Sequence, residues 1–236
     1  MTAKPSKCSI GYSSLECLGH FVGEERLKPD PSKVEAIAEA ERPQTKKQVR
    51  SFLGLVGFYR KFIPNFSTIA LPLTDSTKKK QPHQVKWTSA HQSAFDTLRK
   101  ALTASPILKL PELTKPFVLQ TDSSDKGLGG ALFQYEGESK LPVAFASRKL
   151  KGPELNYSTV EKECLAIVWA VQKFSRYLYG KEFRLETDHE PLVYLNSSKV
   201  TNPRLMRWAL MLQPYRFSLE AIRGCDNVGA DYLSRI

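Results

Sequence analysis

The stretch FVLQTDSSDKGLGGALFQ, residues 117–134, decides the fold. Phe117 to Thr121 and Gly129 to Tyr135 are short runs suited to strands, and the glycines between them let the chain turn tightly back. Leu141 to Ser147 reads as a third strand, after which Ser158 to Tyr179 carries helical periodicity. Phe183 to Thr187, Arg204 to Leu212 and Tyr215 to Ile222 read as strand, helix and strand, with a short closing helix from Asn227. A three-strand meander followed by strands that alternate with helices predicts an α/β (α+β) unit, a mixed five-stranded sheet with flanking helices.

Upstream, Ser89 and Gln92 are spaced as a capping box for a helix to Leu102, and SPILKLPELTKP is a proline-punctuated connector. The polar, lysine-rich stretch TDSTKKKQPHQVKW breaks the hydrophobic periodicity and predicts a linker over residues 74–86. Before it, LECLGHFVGEERLKP reads as two extended runs around a turn, and Asp30 and Pro31 sit where a helix cap and first helical residue belong. In TKKQVRSFLGLVGFYRKFI, Val49, Phe52, Leu53, Val56 and Tyr59 fall at helical spacing, with Lys46, Lys47, Arg50, Arg60 and Lys61 on or near the ends. Pattern alone leaves those charges two roles, as a solvated face or as a track for a nucleic-acid backbone. The expected division is a hairpin in residues 1–25, a small mainly helical unit with its linker in 26–86, and a connector with the sheet unit in 87–236.

The chain has 236 residues, 41% of them hydrophobic, enough for a real core and against a disordered tail protein. No apolar run approaches the roughly 20 residues that cross a bilayer, and MTAKPSKCSI has no apolar stretch to act as a signal peptide, so an intracellular, non-secreted protein with no membrane partner is expected. Cys8, Cys17, Cys164 and Cys225 form no C-x-x-C pair and are expected to be reduced thiols. The net charge is +11, of which residues 1–86 hold +7. Such an excess draws a phosphate backbone through counterion release, and it also serves solubility.

The chemical content lies in the acids. Asp122 follows the strand FVLQT and Asp188 follows FRLET, so two carboxylates end strands of one sheet, a costly pairing unless a cation sits between them. On the long helix, Ile167, Ala170 and Phe174 fall within roughly 40° of Glu163, whereas Glu161 points the other way and reads as solvated. Glu163 therefore faces the sheet, where a carboxylate needs a metal or a basic partner. Asp231, in GADYLSRI, lies early in a short helix, where an acid also suits the dipole. Carboxylate oxygens suit hard divalent cations, and two such ions about 4 Å apart serve phosphodiester displacement.

At these residues the chain closely resembles the end of the polymerase polyprotein of gypsy-type LTR retrotransposons. The resemblance runs from KCSIGYSSLECLGHFV, like the primer grip closing the reverse transcriptase palm, through FLGLVGFYRKFIPNFSTIALPL, like the thumb. It continues through FVLQTDSSDKGLGGALFQ, PVAFASRKL, NYSTVEKECLAIVWAVQKFSRYLYG, FRLETDHEPL, RLMRWALMLQPY and NVGADYLSR. It implies a ribonuclease H fold after a thumb-like unit, with Asp122, Glu163, Asp188 and Asp231 as catalytic ligands of two Mg²⁺ or Mn²⁺ ions. The implied partner is an RNA/DNA hybrid, with other parts of a retroelement polyprotein beside it. Arg50, Arg60, Lys61, Arg204 and Arg207 are the expected nucleic-acid contacts, and Trp208 is a candidate for either contact or core. The polymerase Y-x-D-D motif is absent, so no DNA synthesis by this chain is expected. AIRGCDNVGAD also lacks the histidine that some relatives carry before the last aspartate, which predicts slower product departure, and His189 is expected to be structural.

The sequence thus carries three readings: a metal-dependent endoribonuclease, a non-catalytic nucleic-acid-binding remnant, and a fragment of a larger RNA-directed DNA polymerase.

Overall fold

Local capping chemistry starts the elements of the first unit. The computed structural model describes residues 11–104, 107–187 and 202–222. Three short antiparallel strands, β1 (Ser14–Cys17), β2 (His20–Gly23) and β3 (Arg26–Pro29), form a meander whose first turn needs Gly19 at φ +71°. Asp30 then caps α1 (Pro31–Ala38), accepting from the Ser32 backbone N–H at 2.9 Å. In α2 (Lys46–Phe58), Thr45 and Gln48 complete a capping box while Val49, Phe52 and Val56 are buried, the stripe expected from their spacing. Short helices α3 (Phe66–Ile69) and α4 (Leu71–Ser76) follow.

The helix α5 (Ser89–Thr103) is capped one residue earlier than the sequence predicts. Thr88 pairs with His91, and Gln92 instead accepts from the Trp87 indole at 2.8 Å. The sequence reading grouped α5 with the sheet unit, but its Phe95, Leu98 and Leu102 share a core with Val49, Phe52 and Ile37. β4 (Leu108–Lys109) likewise pairs with β3, adding a fourth strand to the meander.

The second core forms on a mixed sheet of the predicted kind. Its strands are β5 (Phe117–Ser123), β6 (Gly127–Glu136), β7 (Ser139–Lys149), β8 (Glu182–Thr187) and β9 (Arg216–Ala221), in the order β7-β6-β5-β8-β9. β8 runs parallel to both β5 and β9, and the remaining pairs are antiparallel. α6 (Thr159–Lys173) packs on the face that presents Phe117 and Leu119, and its Ile167, Ala170 and Val171 are buried there. Gly130 makes this approach close, because a Cβ added to it would lie 3.1 Å from that of Ala170. The single long helix read from the sequence is interrupted: Phe174, buried, leaves helical geometry, and the chain resumes as α7 (Ser175–Leu178).

α8 (Pro203–Leu212) lies against α6. Glu161, read as solvated, instead accepts hydrogen bonds from Arg204, Asn202 and the Ser158 backbone. Burial alone would raise its pKa, yet these donors hold it below the usual carboxylate range.

Among the described residues, two of the junctions between the first unit and the sheet end on a backbone carbonyl acceptor of β7 and a carboxylate acceptor of β6. At one, the Ser67 hydroxyl and the Arg60 guanidinium donate to the Ser147 carbonyl on β7, at 2.7 and 3.0 Å, which covers part of that edge strand. At the other, buried Lys109 reaches Glu136 at 2.7 Å, and Arg26 reaches the same carboxylate at 3.0 Å.

Two predictions follow from this packing. Glu161→Gln should cost about 1 kcal/mol at neutral pH. Because the folded carboxyl has the lower pKa, that contribution exists above the unfolded value and vanishes as pH falls through the folded one; thermal melts of the variant and the parent should converge on acidification. Cys164 is fully buried, and burial, with the Glu163 and Glu161 carboxylates behind it, pushes its thiol up to about 12. Peptide mapping after alkylation at pH 8 should therefore find exposed Cys17 modified in the folded chain and Cys164 modified only after unfolding.

Candidate active site

The end of β5 and the second turn of α6 meet around a tight hairpin. Beyond β5, the Ser124 hydroxyl accepts from the Gly127 backbone N–H at 3.0 Å, and the Ser124 N–H donates to the Gly127 carbonyl at 2.9 Å. α6 grips this turn twice. The Ser123 hydroxyl donates to the Glu163 carboxylate at 2.6 Å, and the Lys162 ammonium meets Asp125 at 2.9 Å. Lys162 lowers the pKa of that exposed aspartate through the hydrogen bond and its charge.

Glu163 faces the sheet as its helical position predicts and is 2% exposed, and Asp122 is 3% exposed at the end of β5. Strand alternation assigns Ser123 to the α6 face with Phe117 and Leu119, and Asp122 to the other face with Val118 and Gln120. Glu163 thus bonds the residue after Asp122, and the carboxyl-bearing residues flank one strand end. On the face of Gln120, its amide donates to Glu186 at 2.7 Å, and Lys140 also binds that carboxylate.

Asp188, His189 and Asp231 lie outside the described residues, so two of the four acids read from the sequence are located here. Among the described residues no group of three or more His, Cys, Asp or Glu side chains forms a metal-sized cluster. Sequence reasoning missed Ser123 and Lys162, although each directly follows or precedes an acid that it singled out. A donor at the position after a strand-end acid was the available signal.

The basic residues read as nucleic-acid contacts are differently engaged. Arg60 lies over the Phe66 ring and binds Ser147 in the junction described above. Lys61 is intermediate in exposure, and burial lowers the pKa of its ammonium. Arg204 lies 4.0 Å over the Tyr157 ring and holds Glu161. Arg50 donates to the Thr77 carbonyl at 2.8 Å from an exposed position, and Arg207 is exposed on α8. Trp208 is core, 9% exposed and packed near Tyr157.

Comparison with known proteins agrees with this architecture. Residues 112–215 match the RNase H-like domain found in reverse transcriptase. The chain is similar to the retrovirus-related Pol polyprotein from transposon 297 of Drosophila melanogaster, at 43% identity over 230 residues, covering 98% of this chain and 21% of that polyprotein. It is similar also to the Pol polyprotein from transposon gypsy of the same organism, at 40% identity over 248 residues, 100% of this chain and 23% of the relative. The chain therefore spans about a fifth of the length of these relatives. In fold it is similar to the foamy viral protease-reverse transcriptase solved in complex with RNA/DNA hybrid, with TM-score 0.75 at 23% identity over 92% of this chain and 30% of that one. Residues 112–215 are thus similar to the RNase H-like domain found in reverse transcriptase, and nearly the whole chain is similar to Pol polyproteins from gypsy-type transposons.

Proposed function

We propose that the chain is a ribonuclease H-type endonuclease that hydrolyses the RNA strand of RNA/DNA hybrids, with Asp122, Glu163, Asp188 and Asp231 holding two divalent ions, Mg²⁺ or Mn²⁺. The observation that carries this reading is Glu163, a buried carboxylate anchored to the residue after Asp122 at a strand end. Burying two acids at one strand end is expensive unless cations or donors offset their charge. A purely structural pair would serve the fold better as apolar residues. The donor set is all carboxylate oxygen, which fits hard divalent ions and excludes a thiolate- or imidazole-type centre.

The parallel register adds support. Gln120 on β5 pairs with Glu186 on β8, and counting two residues on in the sequence gives Asp122 and Asp188. When bound, a pair of divalent ions supplies water activation and stabilisation of the leaving 3′ oxygen. The chain's own residues supply the rest. Ser123 fixes one oxygen of Glu163, Lys162 ties Asp125 and so the hairpin to α6, and the Gln120–Glu186–Lys140 group stiffens the adjoining strands. Choice of the RNA strand would come from contacts with ribose 2′-OH groups. The relative of similar fold was solved with an RNA/DNA hybrid, which favours the same class of substrate here.

The extent of the match supports a second, wider reading, in which the chain works within a longer RNA-directed DNA polymerase. Without Y-x-D-D it would contribute the nuclease and not the polymerase chemistry.

Incubation with an end-labelled hybrid and Mg²⁺ should give endonucleolytic products in the RNA strand, none with EDTA, and none from the corresponding DNA duplex. Asp122→Asn and Glu163→Gln should each reduce the rate by more than about a hundredfold, since even groups behind a metal ligand are worth about 10- to 100-fold. Absence of cleavage, or equal cleavage by Asp122→Asn, would contradict the assignment.

A further inference from the structure

The two edges of the five-stranded sheet are treated differently. On β7 the Ser147 carbonyl is taken by Ser67 and Arg60, and β4 also lies against that strand. At the other edge, β9 has no strand beyond it among the described residues. Five of its six residues are exposed and Phe217 is intermediate, so the strand is open on its outer side. Leu219 is among them, an apolar side chain left 37% exposed. An unpaired edge of this kind is a template for another strand.

The backbone phase shows which groups the edge offers. The Ile222 N–H donates inward to the Thr187 carbonyl on β8 at 2.9 Å. Inward and outward residues alternate along a strand, so Arg216, Ser218 and Glu220 turn their backbone groups to β8, while Phe217, Leu219 and Ala221 turn theirs to the open side. The side chains divide by the same alternation. Phe217 lies beside Phe183 on the α6 face, with ring centroids 5.5 Å apart, and Leu219 follows it opposite Leu185. Arg216, Ser218 and Glu220 share the other face, where Glu220 accepts from Arg184 at 3.0 Å.

We infer that β9 docks against β9 of a second copy of this chain, antiparallel about a two-fold axis at Ser218, so that the two sheets become one. The sequence of the strand is self-complementary in that register. On one face Arg216 meets Glu220 of the partner subunit, and on the other Phe217 meets the partner's Leu219, each contact occurring twice by symmetry. Phe217 and Leu219 are also the residues with outward backbone groups, so each such pair exchanges two ladder hydrogen bonds. Other registers are poorer. Moving the axis to Phe217 or Leu219 sets Ser218 opposite a lone charge, and moving it to Arg216 or Glu220 sets like charges opposite each other. The charges thus select one register and the copy that can supply it. A strand pair this short covers less than the roughly 1,200–2,000 Å² of a stable complex, so the dimer is weak and concentration-dependent. Because β9 runs parallel to β8, the two acidic sites lie at opposite ends of the joined sheet, and the dimer stands apart from the nuclease reading.

Sedimentation equilibrium of the full chain over a hundredfold range of concentration tests the inference by charge exchange. The parent should pass from monomer to dimer. Arg216→Glu and Glu220→Arg should each weaken the association at least tenfold, because each sets like charges across the axis, and the double variant Arg216→Glu/Glu220→Arg should restore it to within about threefold of the parent. A second measurement needs no change of charge. Ser218 on the axis would be a non-hydrogen-bonded pair with its own copy, about 4.5 Å between Cα atoms, close enough for a disulfide. Under mild oxidation Ser218→Cys should therefore give a dimer linked between the two substituted positions by peptide mapping, and Ser89→Cys, at an exposed position on α5, should not. A parent that stays monomeric throughout, a double variant no better than the single ones, or equal cross-linking from both cysteine variants would overturn the proposal.

Discussion

A carboxylate held out of water at a helix–strand contact organises the second half of this chain. Glu163 is 2% exposed, on a helix whose other buried residues are mostly apolar, among them Ala166, Ile167, Ala170 and Val171, and Ser123 holds it at 2.6 Å. To bring it there, α6 must lie close on β5 and β6, and Gly130 gives that closeness by leaving room for Ala170. The sheet order then follows from the chain path, with the meander on one side of β5 and the parallel strands on the other. An acid at the edge of a core costs stability, and the Lys162–Asp125 and Arg204–Glu161 pairs tie the same helix to its neighbours.

Much of this was legible in the residues. The meander, the parallel return, the inward direction of Glu163 and the stripe Val49, Phe52, Val56 all follow from period and turn chemistry, because each depends on neighbours within one or two turns of chain. What depended on distant residues was not legible. The break at Phe174, whose side chain is buried in the core, has no signal in the local pattern. Glu161 reads as solvated from its own helix alone, and only the approach of α8 supplies Asn202 and Arg204. The membership of α5 in the first core also reflects tertiary packing, since an amphipathic helix does not specify which apolar surface it will cover.

The basic residues teach the same lesson about charge. Counting Lys and Arg located the basic part of the chain, but a count does not tell a binding cation from a structural one. Arg60 and Arg204 each pair a bond to protein oxygen with an aromatic face, the use for which a planar guanidinium is suited. The lysines around α2 are more open to solvent, and there the sequence pattern leaves Lys46 and Lys47 two roles and names Arg50 as a contact.

Anomalous diffraction reports on cations held between acidic side chains without reference to turnover. Crystals of the full chain grown with Mn²⁺ should show strong anomalous density for two ions beside the carboxylates of Asp122 and Glu163, lost in Glu163→Gln for at least one of them. Density confined to other acids such as Asp125, or a site next to Glu163 that stays empty while Ser123 retains its bond, would contradict cation binding there.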